Sequence, residues 1–208
     1  MENKVIYWIG GSACAGKSTL ANMIAEKYGI EIYSCDEHFN EHLNYISSTN
    51  HPAMYQVSRM TANEAFYERD IEEQLKVYTQ SFIEDFQLVI NDISNINTDS
   101  IVVEGNQLLP SLVYPYLGTK HKAIWIIPTE NFQKEFYKKR DWLQDILEST
   151  ENPIVSFDNW MKRDALFAKY VYEEATDFNF PTLKVDGRKN IVENFYFIER
   201  LFRLNKKH

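Results

Sequence analysis

Gly11-Ser12-Ala13-Cys14-Ala15-Gly16-Lys17-Ser18-Thr19 is the stretch from which the fold of this chain is read. It carries G-x-x-x-x-G-K-S spacing, and each fixed position has a mechanical task. The glycines let the backbone curl until successive N–H groups point at one anion, Lys17 reaches toward β/γ-phosphates, and the Ser18 hydroxyl is placed to ligate Mg²⁺. Four such positions fall together by chance in roughly one sequence in a hundred of this length. Here they also follow the apolar run Val5-Ile6-Tyr7-Trp8-Ile9 and open an amphipathic helix near Lys17, the strand–turn–helix setting a phosphate-binding P-loop needs. The positive end of that helix adds to the same anion site.

Working outward, residues 4–9 read as a buried parallel strand. The helix after the loop places Leu20, Ile24 and Tyr28 on one face and stops at Gly29. Glu31–Ser34 forms a second strand, ending at Cys35-Asp36-Glu37-His38. A helix is expected from Asp36 to about Ile46, broken by the polar run Ser47–Pro52. Thr61 and Glu64 have capping-box spacing, and the stripe Phe66, Ile71, Leu75, Tyr78, Phe82, Phe86, Ile90 and Ile93 keeps helical period for about eight turns, as one helix or two in series.

Ile101–Gly105 is a third strand ending in an acid, followed by a short helix near Leu108–Tyr114. Lys122–Ile127 is a fourth strand. Pro128-Thr129 opens a helix carrying Phe132, Phe136, Leu143 and Leu147, and a further helix, capped by Ser156 or Asp158, turns Trp160, Phe167, Val171 and Ala175 inward. Thr182–Val185 is the last strand, with a turn at Asp186-Gly187 and a final helix capped by Asn190 and Glu193. The pattern predicts one α/β domain over residues 1–208: a five-stranded parallel sheet with helices on both faces, a helical insertion over 36–97 and lid-like helices over 131–163.

Composition narrows the function classes. A net charge of −8 disfavours a general nucleic-acid or anionic-membrane surface. Met1-Glu2-Asn3-Lys4 leads into an apolar run too short for a signal or spanning segment, so a cytoplasmic location is expected. Cys14 and Cys35 lack metal-type spacing and suit a reducing compartment.

Ligands of such a sheet bind at the carboxyl ends of its strands. Glu104, flanked by Val103 and Gly105, stands where a carboxylate could hold Mg²⁺ or take a proton from a substrate hydroxyl; the alternative is a salt bridge or a helix cap. Asp36 is either an ordinary N-cap or the group that orients and deprotonates an acceptor, with His38 as its neighbour. His42 and His51 read as solvated or packing residues. Lys134, Lys138, Lys139, Arg140, Lys162 and Arg163 could close as a basic lid over transferring phosphate, and Arg163 lies one turn from both Trp160 and Phe167 on the inward side.

With these residues, the chain resembles the P-loop kinases of small metabolites and nucleotides, a group that includes shikimate, gluconate and adenylate kinases and chloramphenicol phosphotransferase. The resemblance rests on Gly11–Thr19, Asp36, Glu104-Gly105, the basic stretch after the fourth strand and the loop at Asp186-Gly187. It implies a three-layer P-loop NTPase fold, ATP and Mg²⁺ as cofactors, acceptor contact by Asp36, phosphate contact by Arg140 or Arg163, and adenine beside Asp186, Gly187 and Arg188. Two features depart from the family: the lid holds fewer arginines than in nucleoside monophosphate kinases, and the segment between strands two and three is much longer.

That segment, residues 31–99, holds Arg59, Arg69 and Lys76 against thirteen acids. An acidic, aromatic-rich acceptor wall is expected, suited to a neutral or cationic hydroxyl-bearing small molecule such as a sugar, nucleoside or amino alcohol. The alternatives are a nucleotide-dependent switch or binding ATPase without an acceptor, a nucleoside monophosphate kinase, and a nucleic-acid-processing ATPase, which the charge disfavours. No N-K-x-D motif occupies the usual position for guanine, so ATP is the expected donor.

Overall fold

A computed structural model describes residues 4–118 and 122–204. Met1–Asn3, which precede the expected first strand, lie outside the described residues. The described residues form five strands, β1 (Val5–Gly11), β2 (Glu31–Ser34), β3 (Ser100–Glu104), β4 (Lys122–Pro128) and β5 (Thr182–Val185). All pair in parallel, in the order β2-β3-β1-β4-β5. β1 is therefore central, and the loop that follows it opens in the middle of the sheet's carboxyl edge.

The continuous apolar strands are explained by cover on both faces. Ile6, Trp8, Ile101, Val103 and Trp125 pack on one side against α5 (Ile71–Asn95) and α9 (Pro153–Asp177), through Phe86, Val89, Phe167 and Val171. On the other side Ile9, Val102, Ile124 and Ile126 meet Leu20 and Ile24 of α1 (Lys17–Tyr28) and Phe195 and Ile198 of α10 (Ile191–Phe202). Successive residues of β3 thus face opposite layers, as a two-residue side-chain period requires.

Capping residues fix where several helices start. Asn190 and Glu193 make the reciprocal capping box expected for α10. Thr61 and Glu64 also form one, but it opens only the short α4 (Ala62–Phe66). The long stripe consequently belongs to two elements: Phe66 lies in α4, and α5 begins anew after Asp70, whose side chain accepts from Glu73 N.

Three expected spans need correction. α2 (Cys35–His42) ends one turn before Ile46, and a short α3 (Pro52–Val57) starts at the proline expected only to break a helix. The helix after β4 is two helices, α7 (Glu130–Tyr137) and α8 (Trp142–Glu148). The chain tightens between them as Lys139 N and Arg140 N donate to carbonyls three residues back. Period alone could not reveal this, because Phe136 and Leu143 are seven residues apart whether or not the helix continues. Finally, α9 is capped by Asn152, whose side chain accepts from Val155 N; Ser156 lies buried within it, and Asp158 pairs with Lys134 at 2.9 Å. The stretch after β3 is the single helical turn α6 (Pro110–Val113) and a 3₁₀ turn at Tyr114–Tyr116. No described helix is long and apolar enough to cross a membrane.

Candidate active site

The phosphate loop is shaped by close backbone approach. A Cβ on Gly11 would lie 2.0 Å from Ile126 O, and Ser12 N donates to that same carbonyl at 3.2 Å. Gly16 has φ 81° and caps α1 with no side-chain hydrogen bond, leaving the first N–H groups of that helix open to an anion.

Lys17 folds back over the loop. Its ammonium donates to Ser12 O at 3.0 Å and to Asn106 Oδ1 at 2.8 Å, and the residue is buried. From α7, Gln133 donates its amide to Ser12 Oγ at 3.1 Å and Ala13 O at 2.9 Å.

Glu104 ends β3 at the sheet's carboxyl edge, beside the central strand, in register with Ile9 and Ser34, and is fully buried. Ser34 Oγ donates to Oε1 at 2.7 Å, while Oε2 has no hydrogen-bond partner among the described residues. Burial pushes its pKa up, opposed by the Lys17 ammonium and by the Ser34 and Ser18 hydroxyls, with Asp36 adding to the rise. A buried carboxylate oxygen left open beside Ser18 and the phosphate loop has the chemistry of a Mg²⁺ ligand. The residue after it must be glycine, because a Cβ on Gly105 would come within 2.5 Å of the Cys35 Cβ.

Asp36 is not the N-cap of α2; Ser34 takes that position. Asp36 stands exposed in the first turn and faces a cavity of about 580 Å³ together with Lys17, Ser18 and Asn106. His38 is turned away, stacked on Tyr33 with ring centroids 4.1 Å apart. His42, a packing residue, is buried between Asp85 at 2.5 Å and Asp92 at 2.8 Å.

A larger cavity of about 1440 Å³ opens on the other side of the loop. Its wall includes Asp186, Gly187 and Arg188 of the turn after β5, and Phe132 and Phe136, whose rings stack at 4.2 Å. Asp186 shapes that turn by accepting from Arg188 N at 3.0 Å. The two cavities share Cys14, Ala15, Gly16, Thr19 and Arg140.

Arg140 stands at the junction, with Nη2 3.7 Å from Cys14 Sγ and its guanidinium 5.5 Å from the Trp142 ring centre. Arg163 is placed differently. It is buried, bound through Nε and Nη2 to Asp164 Oδ1 at 2.9 and 2.6 Å, and its guanidinium lies 4.1 Å from the Tyr78 ring centre. It backs the wall of the smaller cavity and does not line it. Burial, outweighing Arg140, raises the pKa of Cys14, and burial raises that of Cys35 further, so neither thiol is tuned as a nucleophile.

The smaller cavity corrects the expected acidic wall. Of the thirteen acids over 31–99, Asp36 alone lines it among the described residues; others cap helices, as Asp70 does, or bind inside the fold, as Glu84 does through Ala53 N and Met54 N. Its aromatic character is as expected from Phe39, Tyr78 and Phe82, and Tyr137 and Trp142, from outside that segment, add to it. Three polar residues escaped the sequence reading. Asn106 and Gln107 follow Glu104-Gly105 directly, a polar pair before Leu108-Leu109 that could have drawn notice; Gln133 sits on an otherwise ordinary helix.

No protein-family model matches the chain, and no curated protein matches its sequence. Its structure is similar to that of an uncharacterized protein from Eubacterium ventriosum, at 13% identity and a TM-score of 0.53 over 97% of this chain and 99% of the other. It is also similar to deoxyadenosine kinase from M. mycoides with bound dATP, at 14% identity and a TM-score of 0.51 over 97% and 100% of the two chains. Shikimate kinase from Bacteroides thetaiotaomicron gives 13% identity and a TM-score of 0.51 over 96% and 98%. The chain has the α/β fold of the P-loop kinases.

Proposed function

We propose that this protein is an ATP- and Mg²⁺-dependent phosphotransferase that phosphorylates a small hydroxyl-bearing molecule. The observation that carries the reading is the pair of cavities meeting at the phosphate loop, with Arg140 over their junction. A protein that only hydrolyses nucleotide has use for one cavity and a water; a second, aromatic-walled cavity opening on the same loop suits a second substrate.

The larger cavity takes the nucleotide, with the base between the Asp186–Arg188 turn and the Phe132–Phe136 pair. Loop N–H groups and Lys17 hold the phosphates. Ser18 and Glu104 hold Mg²⁺, which neutralises charge on the phosphate oxygens when bound. Asp36 orients the acceptor hydroxyl and accepts its proton. Arg140 supplies mobile positive charge to the transferring phosphoryl group.

The acceptor is neutral or cationic. Among the described residues, a carboxylate or phosphate on it would meet no cation in the smaller cavity beyond Lys17 and Arg140, which the transferring group itself requires, and this argues against a nucleoside monophosphate. Arg59, a cation of the same segment, lies over the Tyr55 ring at 4.9 Å and does not line this cavity.

The test is to follow ATP consumption across a panel of sugars, nucleosides and amino alcohols. One of them should stimulate turnover and appear as its phosphate ester, and Lys17→Ala should abolish both. Stimulation by no acceptor, with steady acceptor-free hydrolysis, would favour the switch ATPase; unchanged transfer by Lys17→Ala would remove the kinase reading.

A further inference from the structure

Lys17 is held by two oxygens of different origin. Ser12 O, at 3.0 Å, belongs to the phosphate loop itself. Asn106 Oδ1, at 2.8 Å, comes from the segment after β3 and belongs to the wall of the smaller cavity. These bonds engage two of the three ammonium protons, and phosphates entering the loop that take more than the remaining one compete for the proton given to Asn106.

The other end of Asn106 is tied to that wall. Its Nδ2 donates to Tyr78 OH at 3.2 Å, and the Tyr78 ring rests on the Arg163 guanidinium. Arg163 is fixed by Asp164, which also accepts from Tyr137 OH at 2.6 Å. Tyr78 and Tyr137 both line the smaller cavity, so a continuous set of buried contacts runs from the lysine of the donor side to the aromatic wall of the acceptor side.

We propose that Asn106 is a positioning residue that shares Lys17 with the nucleotide: its carboxamide oxygen holds the ammonium in the empty protein and is released into the acceptor cavity when phosphates take the lysine. The inference rests on the phosphate-binding reading of the loop. The freed oxygen accepts a hydrogen bond, which suits a hydroxyl or N–H of the acceptor. By linkage, an acceptor that engages Asn106 frees Lys17 and tightens nucleotide binding by the same factor. A plain strut, in contrast, would make Lys17 a better phosphate ligand, and its loss would weaken nucleotide binding.

The experiment measures calorimetric binding of the non-hydrolysable analogue AMP-PNP with Mg²⁺, and thermal midpoints with and without it, for wild type, N106A, K17M and K17M/N106A. N106A should bind the analogue roughly twofold to tenfold more tightly, the scale of one lost competing hydrogen bond. It should melt below wild type when empty and by a smaller margin when saturated, the remaining deficit being the lost Tyr78 bond. In the K17M background, N106A should leave the affinity unchanged, and its melting deficit should be the same empty and saturated. Affinity equal to or weaker than wild type, or a melting deficit that is the same empty and saturated, overturns the proposal. N106L, which keeps the side-chain volume, replaces N106A if the latter does not fold. If K17M binds as well as wild type, or wild type does not bind, the nucleotide reading fails, an outcome distinct from an N106A that binds no tighter while Lys17 matters.

Discussion

The amide of Gln133 lies 2.9 Å from the main-chain oxygen of Ala13, so a buried side chain of α7 holds the phosphate loop from outside it. With a second bond to Ser12 Oγ, it fixes the loop where its N–H groups must converge on an anion. Pre-shaped donors are worth more than mobile ones, because ordering them is not charged to binding. Gln133→Ala should therefore weaken Mg²⁺-nucleotide affinity by about tenfold, the scale of one or two buried hydrogen bonds. Gln133→Glu, which cannot donate to Ala13 O when ionised, should do at least as much harm. Calorimetric titration with AMP-PNP checks both, and a Gln133→Ala protein with wild-type affinity would show that the loop holds its shape unaided.

Glu104 gives a pH prediction. Burial raises its pKa above that of an ordinary carboxyl, although Lys17, Ser34 and Ser18 oppose the shift. A protonated carboxyl is a poor Mg²⁺ ligand, so metal-dependent nucleotide affinity should be full above this raised pKa and fall as pH drops through it. Glu104→Gln should bind Mg²⁺-nucleotide weakly and remove that pH dependence while still binding metal-free nucleotide. A Glu104→Gln profile that overlays wild type would take the carboxylate out of the metal site.

His42 links pH to stability rather than to chemistry. Burial lowers its pKa, but Asp85 and Asp92 outweigh this and the net shift is upward. Around the imidazole stand Asp85 and Asp92 of α5 and Tyr33 of β2, whose hydroxyl donates to Asp92 at 2.7 Å. A folded pKa above the unfolded value of about 6.5 means that the stabilisation is complete below about pH 6.5 and is lost as pH rises through the folded pKa. Urea midpoints should therefore decline from slightly acid to alkaline pH. His42→Gln should flatten that slope, and His42→Ala should cost about 3 kcal/mol, since it leaves Asp85 buried without its cationic partner.

These residues also mark what the sequence could disclose. Gly11–Thr19 was legible because backbone curvature, anion binding and helix initiation impose residue types at fixed spacing within nine positions. Glu104 and Asp36 were legible as acids at strand ends, and the sheet followed from apolar runs between helices. Asn106 and Gln133 were not, because a carboxamide becomes a ligand of the phosphate loop only through contacts 89 and 120 or more residues away along the chain. Composition misled for a related reason: thirteen acids in one segment say nothing of direction, and most turn to helix caps, buried partners or solvent. The split of α7 from α8 was hidden because it preserves the seven-residue spacing of Phe136 and Leu143.

Arg140 and Arg163 shared one role in the sequence, and the structure separates them. Arg140 faces both cavities beside Cys14. Arg163 is enclosed, paired with a fully buried Asp164, and packed under Tyr78. Arg140→Ala should lower the transfer rate by about 10²- to 10³-fold, the effect of removing one donor to transition-state charge, with little change in melting temperature. Arg163→Ala should instead leave Asp164 as a buried charge without its cation, at about 3–5 kcal/mol of stability. For a domain of this size that is about 10 °C in the melting midpoint. Arg163→Lys should recover part of the stability, because it keeps the charge but loses the two-nitrogen grip on Asp164 Oδ1 and the flat contact with Tyr78. Thermal melts beside single-turnover transfer rates distinguish the two arginines. An Arg163→Ala protein that melts like wild type but transfers slowly would return Arg163 to the phosphate site.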